Sequence, residues 1–532
     1  MKTVKRALAL VLALTLLLAM SATVFAADDT TYTITINNTT TGHTYEAYQI
    51  FAGDLAEKDG KTILSNITWG NGITEAGKTT LGDAAKKAET LKTADDAAAF
   101  AKAVAPYLQN PTTSVEGTGK YTISGLKAGY YLVKDTQAPA DDFYSAYIME
   151  VVSNVEAEPK GDKPTVDKNI KDNGETTKVN EASIGDTINY EVTSKVPDMA
   201  GYNKYFFVLN DTLSKGLTFN NDVKVKIGET ELAADAYSVT STTNRDGTTS
   251  VKIVLNNFIN YQEKNGQTIL VTYSATLNRD AEVGTTPNTN TVKLVYSNDP
   301  NHTYTGENEP AAGDPTGETP ESKTETYTTE LTITKTDGNG QILTGAEFTL
   351  TGNGVNIVLV SESTFSEDAN GTYWKLKNGT YTTTEPTTEN QASYDSTEKK
   401  YSKTTTLTAK GIGQAETSVK GFVDDAGKIT FRGLGAGEYT LTETVTPAGY
   451  NTIAPITFTI SFDKETKKFS TNNENISVGA DNTLSTTIVN NAGAELPSTG
   501  GIGTTIFYVL GGVLVVCAGV LLITKRRMNK NA

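Results

Sequence analysis

Apolar side chains in this chain recur at every second residue over most of its length, and that alternation confines it mainly to β-strands. In Tyr32-Thr33-Ile34-Thr35-Ile36-Asn37 one face is apolar and the other carries Thr and Asn. The pattern returns near Tyr121, from Tyr130 to Lys134 and from Ala146 to Val152. Thr, Asn, Gly and Tyr are abundant, as strands and tight turns require. The exception is Asp83 to Leu108, rich in Ala and Lys with no strong breaker before Pro106, which predicts the one helix of the N-terminal domain. At 532 residues there is room for about three such β domains.

Both ends carry export signals. Lys2, Lys5 and Arg6 precede an apolar run from Ala7 to Met20, and Val24-Phe25-Ala26 offers small residues for cleavage, so residues 1–26 are read as a signal peptide. Ile502 to Thr524 carries no charge and is long enough to cross a bilayer as a helix. Lys525, Arg526 and Arg527 behind it stay cytoplasmic, which places everything before them outside. Ahead of this span stands Leu496-Pro497-Ser498-Thr499-Gly500. An LPxTG pentapeptide, a span and a basic tail together resemble the cell-wall sorting signal of Gram-positive bacteria. That resemblance implies that a sortase cuts between Thr499 and Gly500 and passes the Thr499 carbonyl to an amine.

Removing the three cations at the front and the four at the back takes the net charge from −16 to about −23. An exported chain so acidic is not expected to bind nucleic acid, and suits a self-repelling surface protein. The only cysteine, Cys517, lies in the span, so the exported part has no disulfide. Composition divides the remainder into an N-terminal domain (27–157), a polar joint (158–164), a middle β-sandwich (165–297), a Pro-, Gly- and acid-rich linker (298–326) and a C-terminal domain (327–491), with the sorting region at 492–532. The third domain holds a Thr-, Ser- and Lys-rich insertion from about Gly352 to Lys420.

Strand parity then singles out a set of polar residues on core-facing positions. Lys335 shares a face with Leu331 and Ile333, Glu443 with Tyr439 and Leu441, and Asn490 with Ile488, on what the sequence suggests are the first, penultimate and last strands. The middle domain repeats the set: Lys168 with Val166 and Ile170, Asp211 with Phe207 and Leu209, Asn290 with Val292 and Leu294. A bland reading is a buried salt bridge satisfied by an amide. A reactive reading is amide exchange. Burial makes a lysine a neutral nucleophile, and a nearby carboxylic acid can polarise a carboxamide and shuttle protons. Attack of Lys on Asn with loss of ammonia leaves an isopeptide crosslink that resists unfolding kinetically. Asn288 and Asn491 are neighbouring rivals, and strand parity is expected to disfavour both.

At this point the chain resembles a major backbone pilin of sortase-assembled Gram-positive pili. Thr332 to Asp337, Gly437 to Glu443 with Pro447-Ala448-Gly449-Tyr450, and Ile488-Val489-Asn490 are similar to the collagen-adhesin B-type domain. Pro164 to Lys168, Gly185-Asp186-Thr187, Asn210 to Leu213 and Tyr296-Ser297-Asn298 are similar to the crosslinked pilin middle domain. The resemblance implies tandem immunoglobulin-like β-sandwiches, isopeptide bonds Lys168–Asn290 and Lys335–Asn490, and Asp211 and Glu443 as their catalytic acids. Glu158-Pro159-Lys160-Gly161 stands where such pilins carry a Tyr-Pro-Lys motif, which would make Lys160 the amine that accepts the Thr499 of the next subunit. Lys163 is its rival, and Glu158 replaces the usual Tyr. Implied partners are a pilus-type and a housekeeping sortase, identical subunits, ancillary tip and basal pilins, peptidoglycan, and host surface molecules.

The first domain departs from this pattern. Gly129 to Asp135 resembles the Glu-bearing strand with Asp135 in its place, but the opening strand has no lysine, so no crosslink is expected there. No enzyme site emerges: His43 and His302 both read as loop residues, and no phosphate loop or Cys/His metal spacing occurs. No cofactor is expected, and calcium among the Asp and Asn loops is left open. The alternative to a polymerising shaft is a monomeric wall-anchored adhesin with crosslinked stalk domains, which needs no acceptor lysine.

Overall fold

The structure, a computed structural model, describes residues 30–528 except 59, 140–141, 143, 160–162, 353–356, 412–418 and 494–501. The signal peptide, Lys160 and Leu496 to Gly500 therefore lie outside the described residues.

The first unit is built on β1 (Tyr32–Ile36) and β2 (Thr44–Lys58), which belong to a four-stranded and a five-stranded sheet respectively. Ile34, Ile36, Tyr45, Tyr121 and Ile123 fill the space between them. A second apolar cluster, with Ile50, Phe51 and Phe100, sits under helices on the same unit. The one helix predicted over Asp83 to Leu108 is preceded by another, α1 (Glu75–Leu81), and is itself broken into α2 (Ala84–Glu89) and α3 (Ala94–Val104). Local chemistry divides them. Thr74, Asp83 and Thr93 each cap a helix N-terminus with a side-chain oxygen, and Thr93 with Asp96 completes a capping box. β3 (Gly129–Gln137) and β4 (Ala146–Val151) extend the larger sheet beside β2.

The middle unit packs two sheets face to face around Ile170, Tyr190, Phe207, Leu209, Tyr273 and Leu294. One sheet contains β5 (Asp167–Asp172) and, across Thr187–Lys195, β7 (Thr268–Leu277). The other contains β6 (Phe207–Leu213), β8 (Asn288–Ser297) and β9 (Ser322–Tyr327). The stretch 298–326 thus differs from the expected linker. β9 pairs with both β8 and Val179–Glu181, Thr316–Glu318 pairs with β8, and Tyr304 is fully buried. Its Pro and Gly content reflects tight turns on the unit's surface.

Only Thr328 separates β9 from β10 (Thr329–Asp337), the first strand of the third unit. The joint is held by backbone contacts from Ile184 N–H to the Gly433 carbonyl (3.0 Å) and from Gly284 N–H to the Thr328 carbonyl (2.9 Å). Gly433 has φ +83° and its absent Cβ would stand 2.3 Å from the Ile184 side chain, so glycine is required there on both counts. In the third unit one sheet places β10 between Lys428–Leu434 and β12 (Leu484–Asn490), and the facing sheet contains β11 (Gly437–Val445). β10 and β12 run parallel. Three strands, Ile456–Asp463, Lys468–Thr471 and Ile476–Val478, follow β11 before β12, so β11 is not the penultimate strand. The insertion forms a long hairpin, Ile357–Glu367 with Tyr401–Gly411, tipped by a small sheet around Trp374. Finally, α4 (Ile502–Met528) is long and apolar enough to cross a membrane over Phe507–Arg526.

Candidate functional site

In the middle unit the alternation of β5 turns Lys168 and Ile170 inward, and the Lys168 side chain is fully buried. Its Nζ donates to Asp211 Oδ2 at 2.5 Å and to the Tyr273 hydroxyl. That hydroxyl donates to the same Asp211 Oδ2 and accepts from Asn290 Nδ2 at 3.0 Å. Lys168 and Tyr273 come from one sheet, Asp211 and Asn290 from the other, so the cluster spans the sandwich. Asp211 Oδ1 and Asn290 Oδ1 are buried with no hydrogen-bond partner among the described residues. Burial pulls the Lys168 ammonium down to about 8, against the charge and hydrogen bond of Asp211, so the neutral amine is readily reached. Burial and the Asp211 charge both push the Tyr273 phenol far up, which keeps its proton on.

The third unit assembles the same functional groups by a different route. Lys335 on β10 lies opposite Ile488 on the parallel β12, and Asn490 is two residues further along the same face. That diagonal is within reach of a long side chain. Lys335 Nζ donates to the carbonyls of Thr336 (3.3 Å) and Ile488 (3.1 Å), while Asn490 Nδ2 donates to Glu443 Oε2 at 2.9 Å and to the Asn451 carbonyl at 2.6 Å. Ile453 N–H also binds Glu443 Oε2, at 3.1 Å. Glu443 Oε1 and Asn490 Oδ1 are left without partners among the described residues. Burial lowers the Lys335 ammonium, with the Glu443 charge opposing. Here amine and carboxamide share a sheet and the carboxyl faces them from across the core.

Three family matches now bear on what such a chain is. Gram-positive pilin backbone subunit 2, Cna-B-like domain, matches residues 184–300; the SpaA prealbumin-like fold domain matches 402–475; and the LPXTG cell wall anchor motif matches 488–530. The chain thus carries a Gram-positive pilin-backbone domain, a SpaA-type domain and a cell-wall anchor motif. Among solved structures, the T6 backbone pilin of serotype M6 Streptococcus pyogenes aligns with TM-score 0.51 at 16% identity, covering 88% of this chain and 100% of its own, which shows a shared fold. The major pilin SpaD of Corynebacterium diphtheriae aligns at 0.47 with 19% identity over 88% and 99% of the two chains. The major pilin RrgB of Streptococcus pneumoniae does so at 0.43 with 16% identity over 88% and 100%. No curated protein matches the sequence.

The first unit holds a buried charged cluster of another kind. His43 lies in a loop, as expected, but is buried, with Nδ1 2.7 Å from Asp135 Oδ2 and Nε2 3.5 Å from Asp142 Oδ2. Burial alone would lower the imidazole, but hydrogen bonds and charge from Asp135 and Asp142 outweigh it and raise His43 to about 9. The Asp142 segment also touches the middle unit: Asn298 Nδ2 donates to the Asp142 carbonyl at 3.1 Å, and Tyr144 N–H to the Asn298 carbonyl at 2.8 Å. His302, by contrast, is half-buried and pairs with Asp314 at 3.0 Å.

Of the rival asparagines, Asn491 is exposed, but the parity expectation for Asn288 is corrected. Positions 288 and 290 lie on the same face because they are two residues apart. Asn288 is buried, and its amide is committed to Glu282 (N–H donor and carbonyl, 3.0 Å each) and to the Thr326 carbonyl (3.3 Å). Sequence reasoning also missed Tyr273. Its signal was present, since Ile269, Val271, Tyr273, Ala275 and Leu277 form one buried stripe. Among the described residues no group of three or more His, Cys, Asp or Glu is arranged to hold a metal.

Proposed function

We propose that this pilin is the shaft subunit of a covalently polymerised pilus, joined by sortase from Thr499 of one subunit to Lys160 of the next and stabilised by internal Lys168–Asn290 and Lys335–Asn490 isopeptide bonds. The observation that carries the internal bonds is the pairing, twice in one chain, of a buried lysine, a carboxyl and a carboxamide in an apolar core. A buried lysine is rare because desolvation is costly, and both lysines here are pulled toward the neutral, nucleophilic form. In each site Nζ bonds to the Asn Cγ, the Cγ–Nδ2 bond breaks, and ammonia leaves. Asp211 and Glu443 relay the protons. Nothing is oxidised or reduced.

Between subunits, the sortase thiolate takes the Thr499 carbonyl as a thioester and Lys160 resolves it. The last subunit passes to a peptidoglycan amine. Ancillary tip and basal pilins join by the same chemistry. The sorting match over 488–530 and the apolar α4 support this reading. The test is a boiled denaturing gel of wall-released protein beside a Lys160→Ala strain. A covalent ladder that collapses to monomer in the variant is expected. A ladder that survives moves the acceptor to Lys163, and a single monomeric band in wild type leaves the anchored adhesin.

A further inference from the structure

The two clusters differ in how the carboxyl reaches the carboxamide. Glu443 in the third unit touches Asn490 Nδ2 directly, at 2.9 Å. Asp211 in the middle unit is one methylene shorter and touches Lys168 directly, but it meets Asn290 only through the Tyr273 hydroxyl. That hydroxyl uses its full capacity, accepting from Lys168 and Asn290 and donating to Asp211. It thus contacts the nucleophile, the acid and the leaving nitrogen at once. The ring is held in place by buried Tyr190 at 5.4 Å and half-buried Phe219 at 5.7 Å between centroids. Nothing about packing requires a hydroxyl here.

We infer that Tyr273 is a catalytic residue of the middle unit, its hydroxyl carrying the proton from the Asp211 carboxyl to the departing Asn290 nitrogen. This rests on the crosslinking reading above. Lys168 first gives a proton to Asp211 Oδ2 and attacks Asn290 Cγ as the neutral amine. The Tyr273 hydroxyl then hands its proton to Nδ2 while taking the one on Asp211. Asp211 accepts a second proton from the former lysine nitrogen as the Cγ–Nδ2 bond breaks and ammonia leaves. Tyr273 ends as it began, and the new amide replaces the ion pair. Burial keeps the phenol protonated at every working pH, as a relay requires.

The test follows crosslinking in the full chain after a metabolic pulse, digesting at intervals and weighing the peptide that joins Lys168 to Asn290, which is lighter by one ammonia. Tyr273→Phe should slow that peptide's appearance by about a hundred-fold, while the peptide joining Lys335 to Asn490 in the same molecules forms at the wild-type rate. Tyr273→Phe with Asp211→Glu should recover about ten-fold of the loss, because the longer carboxyl reaches the amide unaided. Wild-type kinetics in Tyr273→Phe, or no recovery in the double variant while it stays protease-resistant, overturns the relay. Absence of the joined peptide in wild type is a distinct result, which overturns the crosslinking reading itself.

Discussion

In the first unit the buried cation is an imidazole between two carboxylates, Asp135 and Asp142; in the third it is Lys335, beside Glu443 and a carboxamide, Asn490. Both clusters sit where the larger apolar side chains of a sandwich would otherwise meet. The first can only bind and release protons. It holds its unit together reversibly, with a strength set by pH. The third contains an electrophile, so its lysine can be consumed and the attraction made permanent. On the proposed crosslinking, burying a charge has two outcomes in one chain, and the presence of an amide decides which. It also fits their positions, since the Asp142 segment bears on the middle unit through Asn298 while Lys335 and Asn490 join two strands of one sheet.

Removing the lysines breaks this comparison most strongly. Lys335→Ala or Lys168→Ala abolishes ammonia loss in its own unit. On loop-closure entropy each missing bond costs roughly 5 kcal/mol, which lowers that unit's Tm by roughly 10–20 °C. Calorimetry of the exported chain, with intact mass as the covalent readout, checks both. A variant that keeps wild-type mass loss while losing its lysine removes the assignment.

Next in size is His43→Ala, which leaves Asp135 and Asp142 buried without their cation. Breaking such a pair costs about 3–5 kcal/mol. Urea unfolding should show the first unit melting earlier, with both crosslinks intact by mass. If the variant unfolds at the wild-type midpoint, the imidazole is not what holds the cluster.

pH sharpens the contrast, because the proton on His43 sets a stability while the proton on the Lys168 and Asp211 pair sets a rate. His43 has a folded pKa of about 9, above its ordinary value, so its stabilisation is complete below about 6.5 and is lost as pH rises through 9. The most it contributes is about 3 kcal/mol, and the rise that burial imposes on Asp135 offsets part of that. Crosslinking in the middle unit uses the proton that Lys168 passes to Asp211, so its rate is level below about 8 and falls above it as that proton is lost to solvent. Measured between pH 6 and pH 10, stability of the first unit should decline from about 6.5 onward, while the rate of ammonia loss should hold until about 8 and only then fall.

Much of this was legible in the chain because strand parity is a strict rule. Lys168, Asp211, Asn290, Lys335, Glu443 and Asn490 each fall in register with apolar neighbours, and each is buried. What parity cannot supply is which sheet a strand joins, so the cross-sheet geometry of Lys168 and the same-sheet geometry of Lys335 looked alike in sequence. Tyr273 stayed hidden because a tyrosine in an apolar stripe reads as packing. His43 stayed hidden because it precedes β2, outside any alternating run, and Asp135 and Asp142 reach it from far along the sequence. In 298–326 turn-rich composition masked the strand Ser322–Tyr327, whose partners lie far away in sequence.

The smallest effect separates two asparagines that share a face. Asn290 offers its carboxamide to the Tyr273 hydroxyl, while Asn288, two residues earlier, binds the backbone at Glu282 and Thr326. Asn288→Ala should therefore leave the Lys168 to Asn290 peptide joined at the wild-type rate. It strands the Glu282 N–H and two carbonyls, at about 1–3 kcal/mol, visible as a small shift in the middle unit's melting. Asn290→Ala should instead remove the joined peptide altogether. Were the two outcomes exchanged, the electrophile would be Asn288, and the hydroxyl of Tyr273 would be a packing contact with no amide to serve.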